Sequence, residues 1–88
     1  MLTVKVLGPG CTNCERLRAA AVEALQMLGA NAAIEHVTDP AEFRRYHLMM
    51  TPGLVVNEKL VCAGHVPPTH EVMSLIANVL AEEASRSS

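Results

Sequence analysis

Apolar and polar positions change period several times along this chain, and each change marks an element. Leu2 to Leu7 (LTVKVL) is rich in branched residues and reads as a strand, closed by Gly8-Pro9-Gly10. After Cys11, the residues Leu17, Ala21, Ala24, Leu25 and Leu28 recur at helical spacing, while Glu15, Arg16, Arg18, Glu23 and Gln26 fall largely elsewhere. This pattern predicts an amphipathic helix, with Gly29 as the stop just past its end. Ala32 to Val37 is a second short strand. Asp39-Pro40-Ala41-Glu42 then opens a helix with an acidic N-cap, proline at the first position and Glu at the third, expected to run to about Leu48. Thr51-Pro52-Gly53 breaks the chain before Leu54-Val55-Val56. Lys59 to Ala63 follows after a tight Asn57-Glu58 turn, the spacing of an antiparallel hairpin. Pro67-Pro68-Thr69 introduces a last helix, with Val72, Leu75, Ile76, Val79 and Leu80 on one face.

The order is therefore β-α-β-α-β-β-α. A strand-helix-strand opening implies a right-handed parallel crossover and the later hairpin an antiparallel pair, so the expected fold is α/β: a four-stranded mixed sheet with helices on its faces, a three-layer α/β/α sandwich. With 88 residues there is material for one domain, taken as residues 1–84, with 85–88 as a frayed tail. A single Phe, a single Tyr and no Trp leave the core to aliphatic side chains, and most of the helical apolar faces are expected to be buried.

Charge narrows the partners. Seven Lys plus Arg against nine Asp plus Glu, spread along the chain, give a formal charge of −2 and no positive field to attract phosphates, so nucleic acid is not expected as a partner. No apolar run approaches the ~20 residues of a membrane span, and the N-terminus lacks the pattern of a signal peptide. The expectation is a cytoplasmic monomer with no membrane attachment and no bound cofactor.

The chemistry lies with the cysteines. Cys11-Thr12-Asn13-Cys14 sits where the first strand hands over to the first helix, and its spacing puts two sulfurs about one helical turn apart on one side. At a helix N-terminus, unpaired N–H groups and the positive end of the dipole favour an anion, which lowers the pKa of Cys11 and makes it the nucleophile. Cys14, one turn inside, is shielded and suited to resolve a mixed disulfide. A second pair, Cys62 and His65, raises the alternative of a tetrahedral metal site. Against structural zinc, Glu15 follows Cys14 at the head of a helix where a zinc knuckle has glycine, and an α/β domain needs no zinc to hold it together. A module that binds or senses a soft metal or metalloid through the same thiols remains the alternative function.

The strand-Gly-x-Gly-Cys-x-x-Cys-helix opening, Thr51-Pro52-Gly53 ahead of a hairpin, and Gly64 at the hairpin's end resemble the small bacterial and archaeal thioredoxin-like proteins known as redox-active disulfide proteins, with thioredoxin and glutaredoxin as larger relatives. The resemblance spans about residues 2 to 82. It implies a thiol–disulfide oxidoreductase with Cys11 and Cys14 as catalytic pair, acting on disulfide-containing protein substrates and recharged by a reductase or thiol donor. It further implies that Pro52 is cis, presenting the Thr51 backbone to an extended substrate, and that Thr12 and Asn13 join Thr51 and Pro52 as substrate-contacting positions. Departures limit the transfer. Thr12-Asn13 is neither the Gly-Pro of thioredoxin nor the Pro-Tyr of glutaredoxin, and no Trp precedes Cys11. Gly64 leads into His65-Val66, where a glutathione site has a second Gly and acids. Lys5 stands where thioredoxin has a buried acid six residues before its nucleophile; if it points toward the thiols, its cation would lower the Cys11 pKa further, and the alternative is a lysine snorkelling out of the strand. Cys62 is expected as a small apolar edge-strand residue, with a third redox thiol as the alternative; Met49 and Met50 as gap-filling apolar surface near the substrate groove, where exposed Met can provide an adaptable peptide-binding patch; and His65 at its border. His36, His47 and His70 are expected at surface or helix-end positions.

Overall fold

Strand β1 (Leu2–Leu7) is the pivot of the sheet: it pairs in parallel with β2 (Ala32–Val37) and antiparallel with β3 (Gly53–Val56). Strand β4 (Lys59–Ala63) pairs antiparallel with β3 and completes the order β2-β1-β3-β4. The computed structural model describes residues 2–10 and 12–87, so Cys11 lies outside the described residues. Helix α1 (Thr12–Leu28) makes the crossover between β1 and β2, α2 (Pro40–Arg45) precedes β3, and α3 (Thr69–Ser87) closes the chain. The backbone of 85–87, expected as part of a tail, is thus helical. Among the described residues no helix is long and apolar enough to cross a membrane.

Alternation along β1 divides its side chains between two layers. Leu2, Val4 and Val6 join Leu54, Val56 and Cys62 under Leu17, Ala21, Ala24 and Leu25 of α1 and Val72, Ile76 and Val79 of α3. Leu7 and Val55 face the other way and pack with Tyr46, Phe43 and Leu48 around α2. The result is the three-layer α/β/α sandwich. Its core is aliphatic, and each fully buried Val, Leu or Ile contributes about 1.5–3 kcal/mol relative to an exposed one. Leu80, read as part of the buried stripe of α3, is 37% exposed.

Local sequence explains the helix ends. Gly29 lies at φ +66°, and the N–H of Ala30 donates to the carbonyl of Leu25 at 3.0 Å, a left-handed cap that only glycine adopts without cost. The side chain of Asp39 accepts from the N–H of Ala41 at 2.9 Å and starts α2. That helix ends at Arg45, short of the expected Leu48. The reason is the same cap built without glycine: His47 takes φ +58°, its N–H donates to Arg44 O and that of Leu48 to Phe43 O at 2.8 Å. Leu48, freed from the helix, packs into the Leu7–Val55 cluster.

The β3–β4 turn also uses two left-handed residues, Asn57 at φ +49° and Glu58 at φ +69°, the pattern that matches the twist of a two-residue hairpin. Tertiary contacts hold it there. Asn57 Oδ1 accepts from the N–H of Thr3 at 2.7 Å, while its own N–H donates to Thr3 O at 2.8 Å. The Tyr46 hydroxyl donates to Glu58 Oε2 at 2.6 Å, and Lys5 Nζ lies 3.0 Å from that hydroxyl and 3.2 Å from Glu58 Oε1. Lys5 therefore points into the α2 layer, away from the face that carries Cys14, and the reading in which its cation acts on the thiols is corrected. The hydrogen bonds from Tyr46 and Lys5 hold the Glu58 carboxyl below the ordinary glutamate range, and the bonds to Tyr46 and Glu58 hold Lys5 above the ordinary lysine range.

A depressed Glu58 adds stability that is present above its ordinary pKa and lost as pH falls through the lower folded value, while a raised Lys5 adds stability lost only as pH rises past the lysine range. In urea unfolding, Glu58→Gln is expected to be less stable than wild type at pH 7, with the gap closing as pH falls below about 4. An equal gap at pH 3 and pH 7 would refute this assignment.

Candidate functional site

The C-terminal ends of β1 and β2 meet the N-terminal end of β3 at one edge of the sheet, and the cysteine segment leaves from that edge. Gly8 extends the parallel ladder by one bond, its N–H donating to Val37 O at 3.0 Å. Leu7 pairs with Gly53, so the segment before β3 returns beside the point where β1 ends.

Cys14 opens the buried stripe of α1. It lies three residues before Leu17 and seven before Ala21, on the face turned to the sheet, and is 1% exposed, whereas Thr12, Asn13, Glu15 and Arg16 are exposed. Its sulfur rests against the α-carbon of Gly8: a Cβ at that position would collide with Cys14 Sγ. The same Cβ position is 3.6 Å from Cys14 Cβ and 3.8 Å from Thr51 Cβ, so Gly8 is the floor that Cys14 and Thr51 share. In the sequence Gly8 reads only as punctuation ending a strand. Its contact with the thiol has no signal beyond its place before Pro9-Gly10.

Thr51 is exposed, Pro52 is buried, and the bond between them is cis. The Pro52 carbonyl accepts from the N–H of Gly64 at 2.9 Å, which ties this loop to the end of β4. Of the residues expected at the site, the structure thus brings Cys14 and Thr51 together at Gly8, with Pro52 next to Thr51 in the chain and Thr12 and Asn13 exposed in the first turn of α1. Met49 and Met50, expected as apolar surface near the groove, are 91% and 65% exposed. Met50 lies over Gly64, whose Cβ position would be 3.2 Å from Met50 Cβ.

Cys62 belongs to the core on the edge strand β4, as its apolar reading required. Its sulfur is 3.7 Å from His65 Nε2 and 3.9 Å from Nδ1. Burial, followed by the charge of Glu71, pushes the Cys62 thiol up, so it is held protonated and is a poor nucleophile. Among the described residues no group of three or more His, Cys, Asp or Glu is placed to hold a metal ion.

The chain belongs to the thioredoxin-domain family, whose pattern it matches over residues 2–77. It is 30% identical to a thioredoxin of Methanothermobacter thermautotrophicus over 77 residues, covering 88% of this chain and 100% of that protein. It is 28% identical to a thioredoxin of Methanocaldococcus jannaschii over 80 residues, covering 91% and 92% of the two chains. Among solved structures, chloroplastic thioredoxin z superposes with a TM-score of 0.66 at 11% identity, covering 92% of this chain and 80% of that one. A malaria-parasite thioredoxin-2 superposes at 0.65 with 13% identity, covering 89% and 82%. At these identities the superpositions speak to the fold. The family and the archaeal relatives give the general class of chemistry, thiol–disulfide oxidoreduction.

The packing of Gly8 yields a test. Gly8→Ala forces the Cys14 sulfur or the start of α1 to move, and overpacking of this kind costs about 1–3 kcal/mol. The variant is expected to melt at lower temperature than wild type and to lose reactivity at the displaced thiol. Unchanged melting and unchanged thiol kinetics would show that the contact is not a constraint.

Proposed function

We propose that the protein reduces disulfides in protein partners through a dithiol formed by Cys11 and Cys14. The observation that carries this reading is the placement of the Cys14 sulfur, buried one turn inside α1 against Gly8 and beside Thr51, in a chain of the thioredoxin family. Chain connectivity puts Cys11 one residue before the first residue of α1, where the positive end of a 17-residue helix favours a thiolate.

In the proposed cycle the Cys11 thiolate attacks one sulfur of a partner disulfide. The partner S–S bond breaks, a Cys11–partner bond forms, and the departing partner thiolate takes up a proton. Cys14 then loses its proton and attacks the Cys11 sulfur, releasing the second partner thiol and closing the Cys11–Cys14 disulfide. Two electrons and two protons have passed to the partner, and a reductase or thiol donor restores the pair. Thr51 and Pro52, with Thr12 and Asn13, line the place where the partner segment lies. An extended segment running past the exposed Thr51 brings its disulfide to the corner at which β1 gives way to α1. Burial suits Cys14 to its part: shielded from solvent and from other disulfides, it reacts with the neighbouring mixed disulfide.

Trapping tests the roles. With a small disulfide-bonded protein as substrate, wild type is expected to turn over, Cys11→Ser to lose essentially all activity, and Cys14→Ser to accumulate a covalent adduct through Cys11. Retained turnover in Cys11→Ser, or an adduct formed through Cys62, would overturn the assignment.

A further inference from the structure

Between the cap of α2 and the start of β3 the chain turns two thioethers to solvent. Leu48, packed into the Leu7–Val55 cluster and against Gly53, anchors one end of this short segment, and the buried Pro52 anchors the other. Met49 and Met50 lie between the anchors and are the most exposed large apolar side chains among the described residues. Met50 is held in place. A Cβ on Gly64 would be 3.2 Å from Met50 Cβ, 3.5 Å from its Sδ and 3.7 Å from its Cε, so the side chain runs along Gly64, whose N–H bonds to Pro52 O. Thr51 follows at once, exposed, above the Gly8 floor it shares with the Cys14 sulfur. No charged residue stands between Leu48 and Val56.

The other described methionines are differently placed. Met27 is exposed too, but near the C-terminal end of α1, about 20 Å along the helix axis from its first turn. Met73 is half-buried against the core. Met49 contributes almost nothing to packing within the chain, so its apolar surface is offered outward. The pair is continuous with the exposed Thr51, past which the partner segment runs in the proposed cycle. An unbranched thioether adapts to apolar groups of different shape, which suits a surface that meets more than one partner.

We propose that Met49 and Met50 form a peroxide-sensitive docking patch: as thioethers they bear on an apolar side chain beside the partner's disulfide, and as sulfoxides they release it. In the modification, the thioether sulfur gives a lone pair to one oxygen of hydrogen peroxide. The O–O bond breaks as the S–O bond forms, and the leaving hydroxide takes the proton left on the transferred oxygen and departs as water. Sulfur loses two electrons and the peroxide gains them. The sulfoxide is polar, and an apolar side chain pressed on it would strip its oxygen of water without giving a hydrogen bond in return. This inference rests on the proposed reduction of partner disulfides.

The test uses the whole chain, first oxidised to the Cys11–Cys14 disulfide so that hydrogen peroxide acts on the thioethers and not on that pair. Mass mapping is expected to show sulfoxide at Met49, Met50 and Met27 ahead of Met73. Dithiothreitol then regenerates the dithiol, leaves the sulfoxides, and is removed. Single-turnover reduction is followed with two disulfide-linked peptides, one with Leu beside each cysteine and one with Ser. Treatment is expected to slow reduction of the Leu peptide about 3- to 10-fold and that of the Ser peptide less than about twofold. Met27→Leu is expected to lose as much on treatment as wild type, and Met49→Leu/Met50→Leu to keep the rate it starts with. An undiminished rate on the Leu peptide in protein carrying both sulfoxides, an equal loss on the two peptides, or a loss that persists in the double variant would overturn the patch. If untreated wild type reduces neither peptide, the proposed cycle fails and the patch with it.

Discussion

The contact between the Cys14 sulfur and the α-carbon of Gly8 is the constraint on which the site depends. It fixes how close the first turn of α1 comes to the end of β1, and so where the residues ahead of that turn leave the sheet. A side chain at Gly8 would push the helix off the strand. With none there, the thiol is shielded by the sheet below and by Thr51 at its side. The buried stripe of α1 begins at the thiol itself, so the hydrophobic packing that holds Leu17 and Ala21 in the core also positions Cys14. Stability and proposed chemistry share one row of side chains.

The two faces of the sheet do different work. The α1–α3 face is apolar and carries the thiol, with Val4 and Val6 beneath it. The α2 face accommodates charge: Lys5, Tyr46 and Glu58 form a bonded group that anchors the left-handed Glu58 and thereby the β3–β4 turn. A lysine six residues ahead of Cys11 is therefore a structural part of the opposite layer. That separation leaves the thiol face with no charged group from β1.

Much of this was legible in the chain. The strand and helix periods gave the element order, because alternation of branched residues in β1 and the three-to-four spacing in α1 and α3 are direct consequences of burying one face. The tight Asn57-Glu58 turn and the Gly29 stop after α1 were read in place. The end of α2 was not legible, since a histidine supplies the left-handed cap that glycine usually provides. The Cys11–Cys14 spacing marked the candidate chemistry, and the Thr51-Pro52-Gly53 segment its neighbour. The part played by Gly8 and the turning of Lys5 to the far layer are products of strand register, which no local pattern encodes.

In the proposed cycle two sulfurs form one redox couple at the β1–α1 corner. Equilibration of the wild-type protein across a series of thiol–disulfide buffers, followed by differential alkylation and mass mapping, measures this directly. The expected result is a single two-electron transition in which Cys11 and Cys14 are lost together to one intramolecular disulfide while Cys62 stays reduced throughout. Independent oxidation of the two cysteines, or a disulfide that includes Cys62, would contradict it.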